Sequence, residues 1–198
     1  MILIFACATS DVLRTDLSLD DPGQPWICEI AAELIDAQGN PLASFWSPVK
    51  SEGRKIRDGA AAVHGISSRD AAKRGISEIS ALGMLVGLAA QARYAVGHGI
   101  QFDKDVVTSL LMRLGKKPDI WTRPGLSFLD TMIPATAACK IPSEHESGTY
   151  KWPSLDEAGT IILGEEPRDG HHSARDDVQR TKRLFLELKR QNLIEVVL

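Results

Sequence analysis

His171-His172-Ser173-Ala174-Arg175-Asp176-Asp177 opens the clearest helix in the chain. From about residue 173 to 191, Ala174, Val178, Thr181, Phe185 and Leu188 recur at helical spacing and make a mostly apolar stripe. Arg180, Lys182, Arg183, Lys189 and Arg190 fall mostly off it, on a face expected to be solvated. The helical phase separates the two acids. Asp177 lies beside Ala174, Val178 and Thr181 and faces inward, whereas Asp176 lies beside Arg180 and Arg183 and faces water. The inward acid belongs to a His-x-Ala-x-x-Asp pattern made by His172, Ala174 and Asp177. Ala174 is small enough to let this helix pack closely on a sheet. The other register, His171 with Asp176, puts its acid on the wrong face.

Working outward, residues 1–8 read as a buried strand and 26–37 as a second. Gln38-Gly39-Asn40 is a turn signal before a third strand over 42–49, so these two strands form a hairpin. The acidic stretch Asp11 to Pro25 is long for a strand connection. Ser77 caps a helix over 77–92, Tyr94 to Gly97 is a short strand, and Phe102 to Leu114 is a helix. Ser127 to Asp130 reads as a fifth strand, followed by an Ala-rich helix to about residue 138. A loop over 139–153 precedes a helix capped by Ser154, and 164–170 is loop again. Three strands followed by alternating helices and strands give an α/β sheet of mixed order with helices on its faces.

Two further segments bear on chemistry. Val96-Gly97-His98-Gly99-Ile100-Gln101-Phe102-Asp103 is a strand end running into a helix, with Asp103 at the helix start, where the dipole favours an acid. Ile2-Leu3-Ile4-Phe5-Ala6-Cys7-Ala8-Thr9-Ser10 is an apolar strand entering a polar loop. In this order the three segments resemble the motifs of the DEDDh branch of the DnaQ-like 3′-5′ exonucleases, within the RNase H-like superfamily. His172, Ala174 and Asp177 match the third motif, and Phe102 with Asp103 the second. Weaker echoes lie in Val63-His64-Gly65-Ile66, Phe128-Leu129-Asp130-Thr131 and Tyr150-Lys151-Trp152-Pro153-Ser154-Leu155-Asp156-Glu157. The resemblance spans nearly the whole chain.

The resemblance implies an RNase H-like fold, a central mixed five-stranded sheet flanked by helices. It implies 3′-to-5′ hydrolysis of DNA or RNA to nucleoside 5′-monophosphates, with single-stranded 3′ ends as partners. It also implies two divalent cations, Mg²⁺ or Mn²⁺. Such ions, about 3.5–4 Å apart, activate water and neutralise the leaving oxygen, and they need hard carboxylate oxygens. Acids at positions 6 and 8, with Asp103 and Asp177, are the implied ligands. His172 is the implied general base. Thr9 is implied to contact the terminal 3′ nucleotide, Val12 or Leu13 to wedge against its base, and Phe102 to pack beneath it. His64 would lie near the substrate cleft, and His98 is read as structural.

The first motif is where the chain departs. An apolar strand ending in Asp-x-Glu-Thr is expected, and Ala6 and Ala8 stand at the acid positions. The pattern reads as an inactivating substitution of both acids, because His172 and Asp177 persist. The alternative is a natural, non-catalytic nucleic-acid-binding pseudo-nuclease. A proofreading or accessory subunit of a polymerase is a third reading, disfavoured because the chain ends shortly after the last helix. Gly99 departs from the family's Asn, which removes a local hydrogen bond but no ligand. Lys151 and Trp152 read either as a loop anchor or as a charge-and-stacking contact to a single strand.

Size and composition fit these readings. At 198 residues, 43% hydrophobic and 25% charged, the chain suits one domain over 1–198. No apolar run reaches the roughly 20 residues of a membrane span. Cys7, Cys28 and Cys139 are too scattered for a zinc site or a disulfide framework, which fits a reducing, cytoplasmic setting. A net charge of −3 excludes binding of nucleic acid by bulk attraction, so any grip on phosphate must be local or routed through cations.

Overall fold

The computed structural model describes residues 1–144, 148–168 and 170–196. Strands β1 (Ile2–Thr9), β2 (Ile27–Ile35) and β3 (Pro41–Pro48) come first, followed by helices α1 (Asp58–His64), α2 (Ser68–Arg74) and α3 (Glu78–Ala89). Then come β4 (Tyr94–Gly97), α4 (Ile100–Arg113), β5 (Ser127–Asp130), α5 (Met132–Cys139), α6 (Leu155–Ala158) and α7 (Ala174–Arg190). The sheet order is β3-β2-β1-β4-β5. β1 pairs antiparallel with β2 and parallel with β4, β2 pairs antiparallel with β3, and β4 runs parallel to β5. This is the mixed five-stranded RNase H-like sheet that the sequence leads one to expect.

Strand alternation decides what β1 presents to each side. Leu3, Phe5 and Cys7 join the core under α3 and α4, where Phe5 stacks on Trp121 with centroids 5.4 Å apart. Ile2, Ile4, Ala6 and Ala8 point the other way, into the core shared with Val178, Leu184, Phe185 and Leu188 of α7. Covered on both faces, β2 is buried at every position. Apolar residues on both faces of a strand thus mark it as central.

Three differences from the sequence reading stand out. Helices α1 and α2, of seven residues each, occupy 58–74, where the sequence suggests no element; two turns are too short to set up a periodic stripe. The helix capped by Ser154 lasts a single turn and continues as a π-type turn over Gly159–Leu163. Arg180, expected on a solvated face, is buried at 4% exposure. Its guanidinium pairs with Asp156 and Glu165 and donates to the Glu166 carbonyl, because residues 156–166 fold over that side of α7. Among the described residues no helix is long and apolar enough to cross a membrane.

Candidate active site

The ends of β1, α4 and α7 meet at one cleft. Position 6 pairs with Ala31 and position 8 with Glu29, and both alanines face α7. Glu29 itself is buried, and its Oε2 accepts the Ala174 N–H at 2.7 Å. This carboxylate at the head of α7 compensates an unpaired amide and fixes where the helix begins. Burial pushes its pKa upward. Ser173 caps the same helix in a reciprocal box with Asp176, so Asp176 is occupied in capping. Asp177, one residue on, enters the cleft. The helical phase read from the sequence is the one observed.

Asp103 reaches the cleft from the first turn of α4. It is buried, and its Oδ1 accepts the Cys7 N–H at 2.8 Å. Burial pushes this carboxyl up to about 8, against the pull of that hydrogen bond. The start of α4 is held by Asp130, whose carboxylate accepts the Gly99 N–H at 2.8 Å and the Ile100 N–H at 3.1 Å. Gly99 has φ 72° there, a left-handed conformation that glycine adopts without cost. The departure from Asn therefore coincides with a backbone need, and Asp130 is a capping acid.

His172 sits at the loop–helix junction, its backbone N–H donating to the Val63 carbonyl at 3.1 Å. Its Nδ1 lies 3.2 Å from Asp177 Oδ1, at ion-pair distance but outside good hydrogen-bond geometry. The carboxylate raises the imidazole pKa, against the effect of burial. With Nδ1 turned to an acceptor, Nε2 is the nitrogen left to take a proton.

Asp177 has a second partner that the sequence reading did not single out. Arg168 Nη1 lies 2.7 Å from Asp177 Oδ1, and Arg168 Nε lies 2.6 Å from Asp156 Oδ1. Arg168 belongs to an irregular loop with no periodic pattern, so nothing in the sequence marks it. Asp156 lay within a recognised segment without a role attached to it. Together with Ala6, His98, Asp103 and His172, these residues line a cavity of about 290 Å³.

A second cavity, of about 550 Å³, continues from the first and shares Cys7, Phe102, His172 and Asp177 with it. Ala8, Thr9, Val12, Val63 and His64 line its other walls, together with an Arg57–Asp11 ion pair at 2.9 Å. Phe102 is 37% exposed and lies between the two. Thr9 is mostly buried, and its hydroxyl donates to the Asp11 carbonyl at 2.7 Å. Val12 lines this cavity, whereas Leu13 packs against the main core, so the structure gives the wall position to Val12. His64 Nδ1 accepts the Ile66 N–H, and its Nε2 lies 3.2 Å from the Thr9 carbonyl, which makes Nε2 the protonated nitrogen. Burial lowers its pKa. His98 is committed structurally: Nε2 donates to the Pro153 carbonyl at 2.9 Å, and Nδ1 lies 3.0 Å from the Thr131 hydroxyl.

The residues present do not suit a pair of divalent ions. Of the two remaining carboxylates, Asp103 tends toward its protonated form and Asp177 is engaged by a guanidinium. Among the described residues, no group of three or more His, Cys, Asp or Glu side chains is placed to hold a metal. The cation that balances Asp177 here is part of the chain.

No protein-family model matches the sequence, and no curated protein matches it. Solved structures do match the fold. E. coli Exonuclease I in complex with a dT13 oligonucleotide superposes with TM-score 0.76 at 18% identity, over 96% of this chain and 41% of that one. The zinc-bound form of an E. coli Exonuclease I–ssDNA complex gives TM-score 0.75 at 18% identity, over 97% and 41%. A 5cy-dT13 complex of the same enzyme gives 0.74 at 19%, over 97% and 41%. At this identity the likeness is one of fold, and the chain spans about two fifths of the length of those proteins.

Proposed function

We propose that the cleft receives the 3′ end of a single strand of DNA or RNA. In the form carrying acids at positions 6 and 8, it hydrolyses the terminal phosphodiester to release a nucleoside 5′-monophosphate. The chain with Ala6 and Ala8 is a nearly silent form that binds ends and cuts them very little. The observation that carries this reading is the convergence of positions 6 and 8 with Asp103, Asp177 and His172, three segments distant in the chain, on one cavity and its extension. The fold-level likeness to an exonuclease solved with oligonucleotides supports it.

In this reading the larger cavity takes the terminal nucleoside, with Phe102 and Val12 against the base and Thr9 and the Ala8 backbone along the sugar. Neutral His64 braces the Thr9 carbonyl. The His172 Nε2 accepts a proton from the attacking water, and the Asp177 carboxylate beside Nδ1 favours the resulting imidazolium electrostatically. Acids at 6 and 8, with Asp103 and Asp177, would make the ligand set for Mg²⁺ or Mn²⁺, which when bound would activate the water and balance charge on the leaving oxygen. We read the alanines as substitutions in an active parent. A natural pseudo-nuclease is the second reading, favoured by one observation: Arg168 already balances Asp177 from within.

The double change Ala6→Asp with Ala8→Glu tests the enzymatic reading. It should bring Mg²⁺-dependent trimming from the 3′ end of 5′-labelled DNA or RNA, and the absence of any 3′ shortening on a substrate panel would sink it. In that background, His172→Ala should lower kcat far more than substrate affinity. Codons 6 and 8 of the source gene separate substitution from natural loss.

A further inference from the structure

The chain has four tryptophans, and their exposures differ sharply. Trp26 and Trp121 are core residues at 4% and 9% exposure, Trp46 on β3 is half-exposed with the Arg175 guanidinium over its ring, and Trp152 is 72% exposed. Tyr150, two residues earlier, is 48% exposed. An indole anchoring a loop would be buried, so that reading of Trp152 is excluded. The backbone beneath the exposed rings is nevertheless fixed. The Lys151 N–H donates to the Ile141 carbonyl and the Ser143 N–H to the Thr149 carbonyl, both at 3.0 Å, and Pro142 pairs with Tyr150. Lys151 Nζ meets Glu157 at 2.5 Å, His98 ties down the Pro153 carbonyl, and Ser154 is locked in a capping box. Ser154 lines the acid cavity, which places the Trp152 Cα at most about 7.6 Å from a wall-forming Cα.

A large aromatic face held in water on a hydrogen-bonded backbone at the rim of a cleft is well placed for stacking, because the backbone that carries it loses little freedom on binding and the ring has only two side-chain torsions to fix. We propose that Trp152, with Tyr150 beside it, is a stacking platform for nucleobases on the 5′ side of the terminal nucleotide. This rests on the end-binding reading above and adds to it a reason for single-strand preference. A base in a duplex has both faces covered by its neighbours, whereas an unpaired base offers a free π-face to an aromatic ring.

The chain carrying Ala6 and Ala8 is well suited to the test, since it should leave its ligand intact. Two probes are titrated: fluorescently labelled dT12, which reaches past the cleft, and thymidine 5′-monophosphate, which fills the terminal position alone. Trp152→Ala should weaken dT12 binding by about 5- to 150-fold, the range for loss of one stacked base, and leave mononucleotide binding within twofold. Trp152→Tyr should recover most of the loss. Indole quenching by dT12 should persist in Trp46→Phe and vanish in Trp152→Phe. Equal dT12 affinity of Trp152→Ala and its parent, at matched circular dichroism, overturns the platform alone. Failure of the parent chain to bind either probe overturns the end-binding reading with it. Tighter binding of a blunt duplex than of dT12 also overturns the platform.

Discussion

At the acid end of the cleft, Arg168 pairs with Asp156 and Asp177 while Asp103 and His172 complete the wall, whereas the nucleotide end is made mainly of Thr9, Val12, Phe102 and a neutral His64. One end packs several acids against a single guanidinium; the other is mostly uncharged, with one ion pair, Arg57 with Asp11, at its edge. The contrast follows from what each wall is made of. The acid end sits where α4, α7 and the 156–168 segment converge and carry ionisable side chains. The nucleotide end is walled by the tail of β1 and by α1, which bring backbone carbonyls and small apolar groups. The acid end is thus sensitive to loss of any internal cation, and the two ends respond to pH in opposite directions.

The largest expected effect lies behind the acid end. Arg180→Ala removes a buried cation shared by Asp156 and Glu165, which keep Arg168 and Arg183 as partners, and should cost about 2–3 kcal/mol in lost charge-assisted hydrogen bonds. At roughly 2–4 °C per kcal/mol for a chain of this size, Tm falls by about 4–12 °C. Equal melting of this variant and its parent would show that the cluster is worth nothing to the fold.

Proton linkage separates the two ends next. Folded Asp103 keeps its proton up to about pH 8, while the unfolded chain releases it near pH 3.9. The folded state holds more protons between those values, so stability falls as pH rises through that window, by at most about 1.4 kcal/mol per unit for one proton. Asp103→Asn keeps an oxygen for the Cys7 N–H and should flatten that slope. Denaturant melts at pH 5, 7 and 9 read it, and an unchanged slope would assign the pH dependence elsewhere.

Arg168→Met should cost less than Arg180→Ala, about 1–2 kcal/mol, because its side chain is 16% exposed against 5% for Arg180. In the form with acids restored at 6 and 8, the same change should tighten Mn²⁺ binding about fivefold by calorimetry, an effect of ~1 kcal/mol, since the guanidinium no longer competes for Asp177. Weaker Mn²⁺ binding would mean that Arg168 supports the ligand set.

The smallest effect belongs to the nucleotide end. Burial lowers the His64 pKa, so the unfolded chain protonates first and stability is lost as pH falls below about 6.5. His64→Gln keeps a donor for the Thr9 carbonyl and should soften the acid-side decline, read as a shallower loss of denaturation midpoint between about pH 6.5 and pH 5. A steeper acid-side decline would contradict a neutral His64.

Much of this molecule was legible in its residues. The spacing of Ala174, Val178, Thr181, Phe185 and Leu188 set the phase of α7 and thereby the difference between Asp176 and Asp177. The short strands over 94–97 and 127–130 matched their observed spans. Less legible were α1 and α2, too short for periodicity, and the burial of Arg180, whose off-stripe position implied water. Glu29 read as one more strand residue and proved to be the acid at the head of α7.

The order and type of the strands and longer helices, the inward acid of α7 and the gap at Ala6 and Ala8 are local matters of period and residue type, so the sequence alone determined them. The tertiary structure alone decided which charges meet. Arg168 reaches Asp177 only because an irregular loop returns across the start of α7, and Arg180 is buried only because the 156–166 segment covers it. Contacts between groups brought together by loop closure have no signature in either segment, because neither segment's own pattern records its distant neighbour.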